Sequence, residues 1–359
     1  MLAPVRIAGT GSYLPGPPVD RDRFREFMAA YPDGLDEHLR ERILAETGIA
    51  TRHFAFDLAD PSRRETNTSM AERAARRALE AAGWRPEEVE LLVVTTVVPD
   101  RLMPPTSTLV QEALGIPRCA EFELSANCTA PYKGLAIAAS LLRLGQYRRA
   151  LVCCSQYISF LGMPPWAAPE RMNADEEQLR WIVSDGAAAV ALEAGEPDTA
   201  LRVWLESSGV GEPPGMFVPL GAADPDLARS HERGTQHVKQ NLLYVLRRGL
   251  ALATSALSRA LKELQVDPGS IDYFMPTVSS MQVTRRLQRQ WAQRFGIPER
   301  AWRLDFTRIG YLGGVGFLVG LDELVRKGEP RAGQVVFSVA EESSKWMWMC
   351  AGAVLRLLG

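Results

Sequence analysis

Residues 82–95 read AGWRPEEVELLVVT, and residues 264–277 read LQVDPGSIDYFMPT. The two stretches align at an offset of 182 residues, which superimposes a proline, an acidic residue and the final threonine of each. Two further pairs keep the same order at offsets of 181 and 183: Leu114–Pro117 with Phe295–Pro298, and Arg143–Arg148 with Arg326–Arg331. This period is too long for a solenoid, so it predicts a duplicated domain.

Both halves repeat one order of elements: a helix rich in Ala and Leu, a turn with proline, a short apolar run, a second strand and another helix. Such uninterrupted apolar runs are typical of strands covered on both faces. The predicted helices are Ser69–Ala82, Tyr132–Leu144, Leu246–Leu264 and Gly316–Arg326, and the predicted strands are Val89–Val94, Glu121–Leu124, Ile271–Met275 and Trp302–Asp305. This alternation indicates an α/β fold with sheets between helix layers. We expect one half in residues 1–185 and the other in residues 186–359.

The composition excludes several classes of function. The 359 residues carry a net charge of −2, with 46% hydrophobic and 23% charged residues, which offers no basic footprint for nucleic acid or an anionic membrane. No apolar run is long enough to span a bilayer, and residues 1–15 lack an export signal, so we expect a cytoplasmic protein. The five cysteines predict no disulfide framework, and the four histidines have no spacing that suits a metal.

One cysteine is placed where chemistry is expected. Residues 122–131 read FELSANCTAP, which puts Cys128 after a predicted strand and before a helix whose first turn contains Pro131. A thiol at the positive end of a helix dipole is favoured as thiolate, and backbone N–H groups at such a turn can receive an oxyanion. The alternative is an ordinary buried cysteine, which is the common environment of this residue type.

With these segments in view, nearly the whole chain resembles ketoacyl synthase III of the thiolase superfamily. The resemblance rests on the Cys128 turn and on three further segments: Gly9–Pro15, Thr47–His53 and Ser184–Val190. It implies a thiolase-like five-layered αβαβα fold with two pseudo-repeated halves. It also implies that Cys128 accepts an acyl group from a coenzyme A or acyl-carrier-protein thioester, and that no cofactor is needed.

The sequence departs from the family at two catalytic positions. Thr277 occupies the position of the family's histidine, and Tyr311 occupies that of its asparagine. In the family these two residues support decarboxylation of a malonyl unit and stabilise the enolate. Losing one preorganised donor costs about 100- to 1,000-fold in rate. The tyrosine hydroxyl extends further than the asparagine amide, and we expect it to reach elsewhere. Ordinary condensation is therefore not expected, whereas acylation of Cys128 needs only a thiolate and an oxyanion hole.

The C-terminal loop departs as well. Where the family has a glycine-rich stretch, residues 340–346 read AEESSKW. By the resemblance, the Ser344 amide takes the place of an oxyanion donor and Glu342 lies close to the nucleophile, where it could act as a general base. The alternative is that Glu341 and Glu342 face solvent or pair with basic residues.

The expected partners follow from the same comparison. Arg42 and Glu46 replace the Trp and Arg with which the family binds coenzyme A, so an acyl-carrier protein is an equally good donor, and basic residues such as Arg40 could meet it. The resemblance also implies a homodimer in which Met103 reaches the partner's acyl tunnel, with core packing as the alternative for this side chain.

Three functions therefore stay open. The first is an acyltransferase of specialised metabolism that passes the acyl group of Cys128 to an acceptor other than malonyl. The second is a non-catalytic subunit that supports another ketosynthase in a heteromer. The third is a condensing enzyme with an atypical site of Cys128, Thr277, Tyr311 and Glu342.

Overall fold

The computed structural model describes residues 4–31, 37–164, 166, 173–196, 201–207, 210–219, 225–234, 236–342 and 349–356. Within these residues, no helix combines the length and the apolar character that crossing a membrane requires.

Strands and helices alternate along the chain. The strands are β1 (Val5–Tyr13), β2 (Val19–Asp20), β3 (Thr51–Arg52), β4 (Leu91–Thr96), β5 (Ala120–Ser125), β6 (Arg149–Gln156), β7 (Gly186–Ala194), β8 (Arg202–Ser207), β9 (Met216–Phe217), β10 (Lys239–Gln240), β11 (Tyr273–Pro276), β12 (Val335–Glu341) and β13 (Met349–Arg356). The α-helices are α1 (Arg21–Ala29), α2 (Glu37–Thr47), α3 (Asn67–Ala82), α4 (Thr106–Leu114), α5 (Ala130–Arg143), α6 (Ala174–Arg180), α7 (Leu227–Arg233), α8 (Leu242–Glu263), α9 (Met281–Phe295), α10 (Phe306–Ile309) and α11 (Val315–Arg326).

Two sheets share one strand order. The first sheet runs β1-β7-β6-β4-β5 and the second runs β8-β13-β12-β11. Strand β4 is parallel to β6 in the first sheet, as β11 is to β12 in the second, and the series β6-β7-β1 and β12-β13-β8 are antiparallel. The first sheet has one more strand, β5, which pairs parallel to β4 at its edge. Apart from β5, the order matches strand for strand, as the duplicated segments predict. One predicted strand is an exception: the stretch from Trp302 makes only an isolated bridge to Phe274, so the second sheet has four strands.

Helices cover both faces of the sheets. Helix α3 packs against β1, β6 and β7 on the outer face of the first sheet, and α8 packs against β12 and β13 on the outer face of the second. Helices α5 and α11 contact each other and lie between the sheets. The result is five layers, helix–sheet–helix–sheet–helix, which confirms the predicted α/β sandwich.

Local sequence explains why these helices begin and end as they do. The Thr66 side chain accepts a hydrogen bond from the Ser69 amide at the start of α3, and Gly83 ends the helix in the left-handed conformation that glycine adopts at low cost. The run Leu91–Thr96 is buried at every position, as expected for a strand between two helix layers.

Sheet membership sets the boundary between the halves. Strand β7 pairs with β1 and β6, so the first half extends through Ala194. A boundary after residue 185 falls just before this strand and would separate it from its own sheet. Ser184 and Asp185, which precede the strand, are buried. The Asp185 carboxylate accepts hydrogen bonds from the Ala55 amide and from both the amide and the hydroxyl of Ser159.

Candidate active site

Cys128 lies in the turn that joins β5 to α5, as the sequence predicts. The strand ends at Ser125, the helix begins at Ala130, and Pro131 occupies the first turn, where a missing N–H costs no hydrogen bond. The side chain is 2% exposed and packs among the apolar residues between the two sheets. Cys128 is therefore buried, but its sulfur faces polar groups from the second half of the chain.

The nearest of these polar groups is the phenol of Tyr311. Its hydroxyl oxygen lies 3.0 Å from Sγ of Cys128, so the expectation that this hydroxyl would reach elsewhere is wrong. A parallel bridge to Val183 holds the tyrosine, because its amide donates to Ile182 and its carbonyl accepts from Ser184. Burial, and next the adjacent sulfur, raises the pKa of Tyr311 well above its usual value. The phenol therefore stays protonated, so its O–H group can donate a hydrogen bond to the sulfur.

Thr277 lies on the opposite side of the site, one residue after β11. Its amide donates to Val339, while its hydroxyl is buried and makes no hydrogen bond with any described atom. The neighbouring Tyr132 hydroxyl bonds to Ser338, which in turn donates to the carbonyl of Met275. Thr277 therefore presents a buried hydroxyl beside this hydrogen-bonded chain, close enough to Tyr132 to influence the pKa of that phenol.

The Glu342 carboxylate accepts hydrogen bonds from the turn that contains Cys128, here called the nucleophile turn. Its side chain is 1% exposed, and one carboxylate oxygen accepts from the Asn127 amide at 3.1 Å. The other oxygen accepts from the amide of Thr129 at 2.9 Å and from its hydroxyl at 2.7 Å. The alternative that Glu342 faces solvent is wrong. These contacts straddle Cys128 and indicate a positioning role, whereas the general-base role stays a prediction.

Glu341 is a second acidic side chain near the site. Burial raises the pKa of its carboxyl group to about 7, and one of its oxygens is buried without a hydrogen-bond partner among the described residues. Both Glu341 and Glu342 add to the raised pKa of Tyr311. The sequence alone suggests that Glu341 faces solvent or pairs with a basic residue, whereas one of its carboxyl oxygens is buried.

Three further residues named from the sequence, Arg40, Arg42 and Met103, lie apart from this cluster. Ser344, the predicted oxyanion donor, lies outside the described residues. Met103 is 83% exposed, so the alternative that it fills the core is wrong. Arg40 pairs with Glu37 on α2, and Arg42 is exposed on the same helix.

A cavity of about 400 Å³, including its open mouth, leads to the site. Thr277 and Tyr311 line it together with the glycines at 310, 313 and 316. A larger groove of about 1190 Å³ lies alongside, between α2 and α9, where Arg285, Arg286 and Arg289 line its wall. Phe306 lines the cavity, and the next residue along the chain, Thr307, lines the groove.

Sequence reasoning missed Gln156, the last residue of β6. It is fully buried, and its side-chain amide donates to the carbonyl of Asn127 at 3.2 Å, one residue before the nucleophile. The available signal was a polar residue that ends an apolar strand at the same sheet edge as Cys128.

No group of three potential metal ligands occurs in the described part of the chain.

Two duplicated sheets enclose a shared helix layer, and a cysteine lies at the start of the middle helix. This arrangement defines an enzyme of the thiolase fold. The family described as 3-oxoacyl-[acyl-carrier-protein] synthase III matches residues 122–209, and its C-terminal domain matches residues 261–348. The β-ketoacyl-[acyl-carrier-protein] synthase III of Acidiphilium cryptum (strain JF-5) is 30% identical over 334 residues, covering 92% of this chain and 93% of that protein. The chain belongs to the β-ketoacyl-[acyl-carrier-protein] synthase III family, and it is a ketosynthase III-like enzyme.

Solved structures agree with this assignment. The tetronic acid condensing enzyme AbyA1 is 27% identical with a TM-score of 0.79, covering 98% of this chain and 99% of that one. The priming β-ketosynthase of the R1128 polyketide pathway has the same TM-score at 24% identity, over 99% of this chain and 97% of that one, and shares the fold.

Proposed function

We propose that this enzyme accepts an acyl group on Cys128 and transfers it to an acceptor other than a decarboxylating malonyl unit. The observation that carries the proposal is the environment of the sulfur. The sulfur meets the Tyr311 hydroxyl at 3.0 Å, and Thr277 stands at the position of the family's histidine. The nucleophile is retained, while neither neighbour can act as an imidazole does near neutral pH.

The chemistry requires two exchanges. In the first, the sulfur of Cys128 attacks a thioester carbonyl, a new carbon–sulfur bond forms, and the carrier thiol leaves with the proton that Cys128 has lost. In the second, a hydroxyl or amine attacks the acyl-cysteine, the ester or amide leaves, and the acceptor's proton returns to the sulfur. Glu341, whose pKa is about 7, can take the acceptor's proton during the second exchange and pass it to the sulfur.

An acyl-carrier protein is the proposed donor. Arg285, Arg286 and Arg289 are exposed on α9, and none of them pairs with a described carboxylate. The groove that they line contains one acidic residue, Glu46, so its charge suits an acidic partner. Because consecutive residues line the cavity and the groove, a carrier docked there could extend its thioester arm toward Tyr311.

A homodimer through the first sheet is part of the proposal. Strand β5 lies at the edge of that sheet and leaves one row of backbone groups unpaired within it. Phe122 on this strand is 41% exposed, and Leu102 and Met103 in the nearby loop are 93% and 83% exposed. Pairing of β5 with its copy would cover these side chains, and the mass of the protein in solution tests this.

The test of the function is acyl loading. The protein is incubated with acyl-carrier thioesters and its intact mass is measured, with Cys128→Ala as the control. We expect one acyl mass on the wild type and none on the variant. Transfer is then followed by adding alcohol or amine acceptors and measuring both the loss of that mass and the new product. A wild type that never gains mass rejects the proposal.

A second candidate is supported by the burial of the sulfur, which is 2% exposed and in contact with Tyr311. A subunit that supports another ketosynthase needs no accessible nucleophile. In that case a stable hetero-oligomer forms, and its activity is the same with Cys128→Ala. Release of carbon dioxide from a malonyl thioester would instead support the atypical condensing site.

A further inference from the structure

The hydrogen bonds that the NH₂ group of Gln156 donates fix the orientation of its side-chain amide. Its amide nitrogen donates to the carbonyl of Asn127 at 3.2 Å and approaches that of Ala126 at 3.5 Å. Both carbonyls only accept hydrogen bonds, so the NH₂ group must face them. The amide oxygen therefore points away from the nucleophile turn. It is buried, and no described atom donates to it.

That oxygen lies close to Gly313, one of the residues that line the cavity. A Cβ placed on Gly313, which lines the cavity, would lie 3.8 Å from Oε1 of Gln156 and 3.2 Å from Oδ1 of Asn127. Glycine at this position thus leaves room between the cavity and two amide side chains. The carbonyl of Asn127, which Gln156 binds, belongs to the peptide bond that precedes Cys128.

We propose that the acyl group carried by Cys128 bears a hydroxyl near its thioester end and that Gln156 Oε1 accepts a hydrogen bond from it. The inference rests on the proposed acylation of Cys128 and adds the class of acyl group. A buried acceptor left without a donor is costly, so a site of this kind discriminates against an analogue that lacks the hydroxyl. A neutral amide oxygen suits a neutral hydroxyl better than a charged ammonium, which would need a counter-charge when buried.

The experiment compares two small thioesters that need no carrier docking, 3-hydroxybutyryl-pantetheine and butyryl-pantetheine. Rates of mass gain on Cys128 are measured for the wild type and for Gln156→Met, which keeps the side-chain length but has no acceptor oxygen. We expect the wild type to load the hydroxyacyl group about tenfold faster. In the variant we expect loading of both thioesters to slow, because the hydrogen bonds to the Cys128 turn are lost, and the ratio of the two loading rates to approach one.

Gly313→Ala provides a second variant, because Gln156→Met also loses the hydrogen bonds to the nucleophile turn. Its methyl group would lie 3.8 Å from Oε1 of Gln156, in the space that a hydroxyl needs, and it does not remove the Gln156 side chain. Because Gly313 has a φ of 58°, alanine also strains the backbone, so the melting temperature of this variant is measured alongside. Equal loading of the two thioesters by the wild type overturns this inference and leaves the proposed function intact. A preference that persists in both variants also overturns it, and no loading of either thioester rejects the proposed function itself.

Discussion

The hydroxyl oxygen of Tyr311 lies 3.0 Å from the sulfur of Cys128, in the place where the family resemblance puts an asparagine. The phenol keeps its proton because burial raises its pKa. A protonated phenol in this position can donate a hydrogen bond to a thiolate at Cys128, and its ring covers the sulfur. Removing only the hydroxyl and removing the whole ring should therefore change the reactivity of Cys128 in opposite directions.

Replacing Tyr311 with Phe removes the donor and keeps the ring. A hydrogen bond to a charged group is worth about 1.5–3 kcal/mol, so the thiolate should become rarer and alkylation of Cys128 at neutral pH should slow about tenfold. Tyr311→Ala also removes the cover, and its alkylation should be faster than that of Tyr311→Phe. Iodoacetamide labelling followed by mass measurement gives both rates. Equal rates in wild type and Tyr311→Phe would show that the phenol contributes no hydrogen bond to the sulfur.

Glu342→Gln tests the carboxylate that straddles the nucleophile. A negative charge beside a thiol disfavours the thiolate, so its removal should shift the pH profile of Cys128 alkylation about one unit lower. The variant also replaces an acceptor with a donor facing N–H groups, so its free energy of unfolding should fall by about 1.5–3 kcal/mol. Glu87→Gln, at an exposed position, is the matched control. An unshifted pH profile would mean that Glu342 acts only through packing.

The duplicated segments were sufficient to predict the fold, and the residues around Cys128 were sufficient to place it in the turn between β5 and α5. Repeated prolines and apolar runs specify strands, and strands of matching order must form matching sheets. The site around the sulfur was harder to predict. Tyr311 reaches Cys128 because Gly310, at a φ of 76°, turns the chain so that the tyrosine bridges to Val183. Such a contact joins residues 183 positions apart and leaves no local pattern.

The two glutamates show the same limit. In the sequence, Glu341 and Glu342 form an ordinary acidic pair at the end of a strand, which usually faces solvent. Their burial depends on the nucleophile turn of the other half, whose amides receive Glu342. Gln156 is different, because a polar residue at the end of a buried strand can be recognised in the sequence. The carboxyl ends of parallel strands in one sheet lie at the same edge, which places it near Cys128.

Glu341 should make transfer depend on pH. Its pKa is raised to about 7, so it is protonated below that value and can accept a proton only above it. Transfer of the acyl group to an alcohol should therefore increase as the pH rises through 7 in the wild type. In Glu341→Gln it should be slow and should lack this transition. Single-turnover transfer from pre-acylated protein measures the step without the loading reaction.

The same raised pKa has a consequence for stability. The folded state binds the Glu341 proton more tightly than the unfolded chain, so this group lowers stability as the pH rises from the unfolded value of 4.5 to about 7. Because the residue as a whole is only partly buried, we expect a loss of about 2 kcal/mol. Denaturant unfolding at pH 5 and pH 8 should show that Glu341→Gln escapes this loss. An equal loss in wild type and variant would assign the pH dependence to other groups.

The arginines of α9 should matter for the carrier protein and not for small thioesters. Arg285→Glu with Arg286→Glu should reduce loading from an acyl-carrier protein at least tenfold at low salt, because two attractive charges become repulsive. Loading from acyl-pantetheine should be unchanged. Arg294→Glu, near the end of the same helix and away from the groove, is the control. Equal losses with both donors would point to a damaged site, and no loss with either would place the carrier elsewhere.

Gly314 tests the contact between the two halves at the nucleophile. A Cβ at this position would lie 2.1 Å from the carbonyl oxygen of Cys128 and 2.7 Å from Cδ of Pro131, closer than real atoms approach. Gly314→Ala must therefore displace the turn or α11, and we expect both a lower melting temperature and a loss of Cys128 loading. Gly269→Ala is the control, since this glycine is exposed, lies away from the cavity, and its Cβ would meet nothing closer than 3.6 Å. If Gly314→Ala loads as fast as Gly269→Ala, loading of Cys128 does not depend on this close approach between the halves.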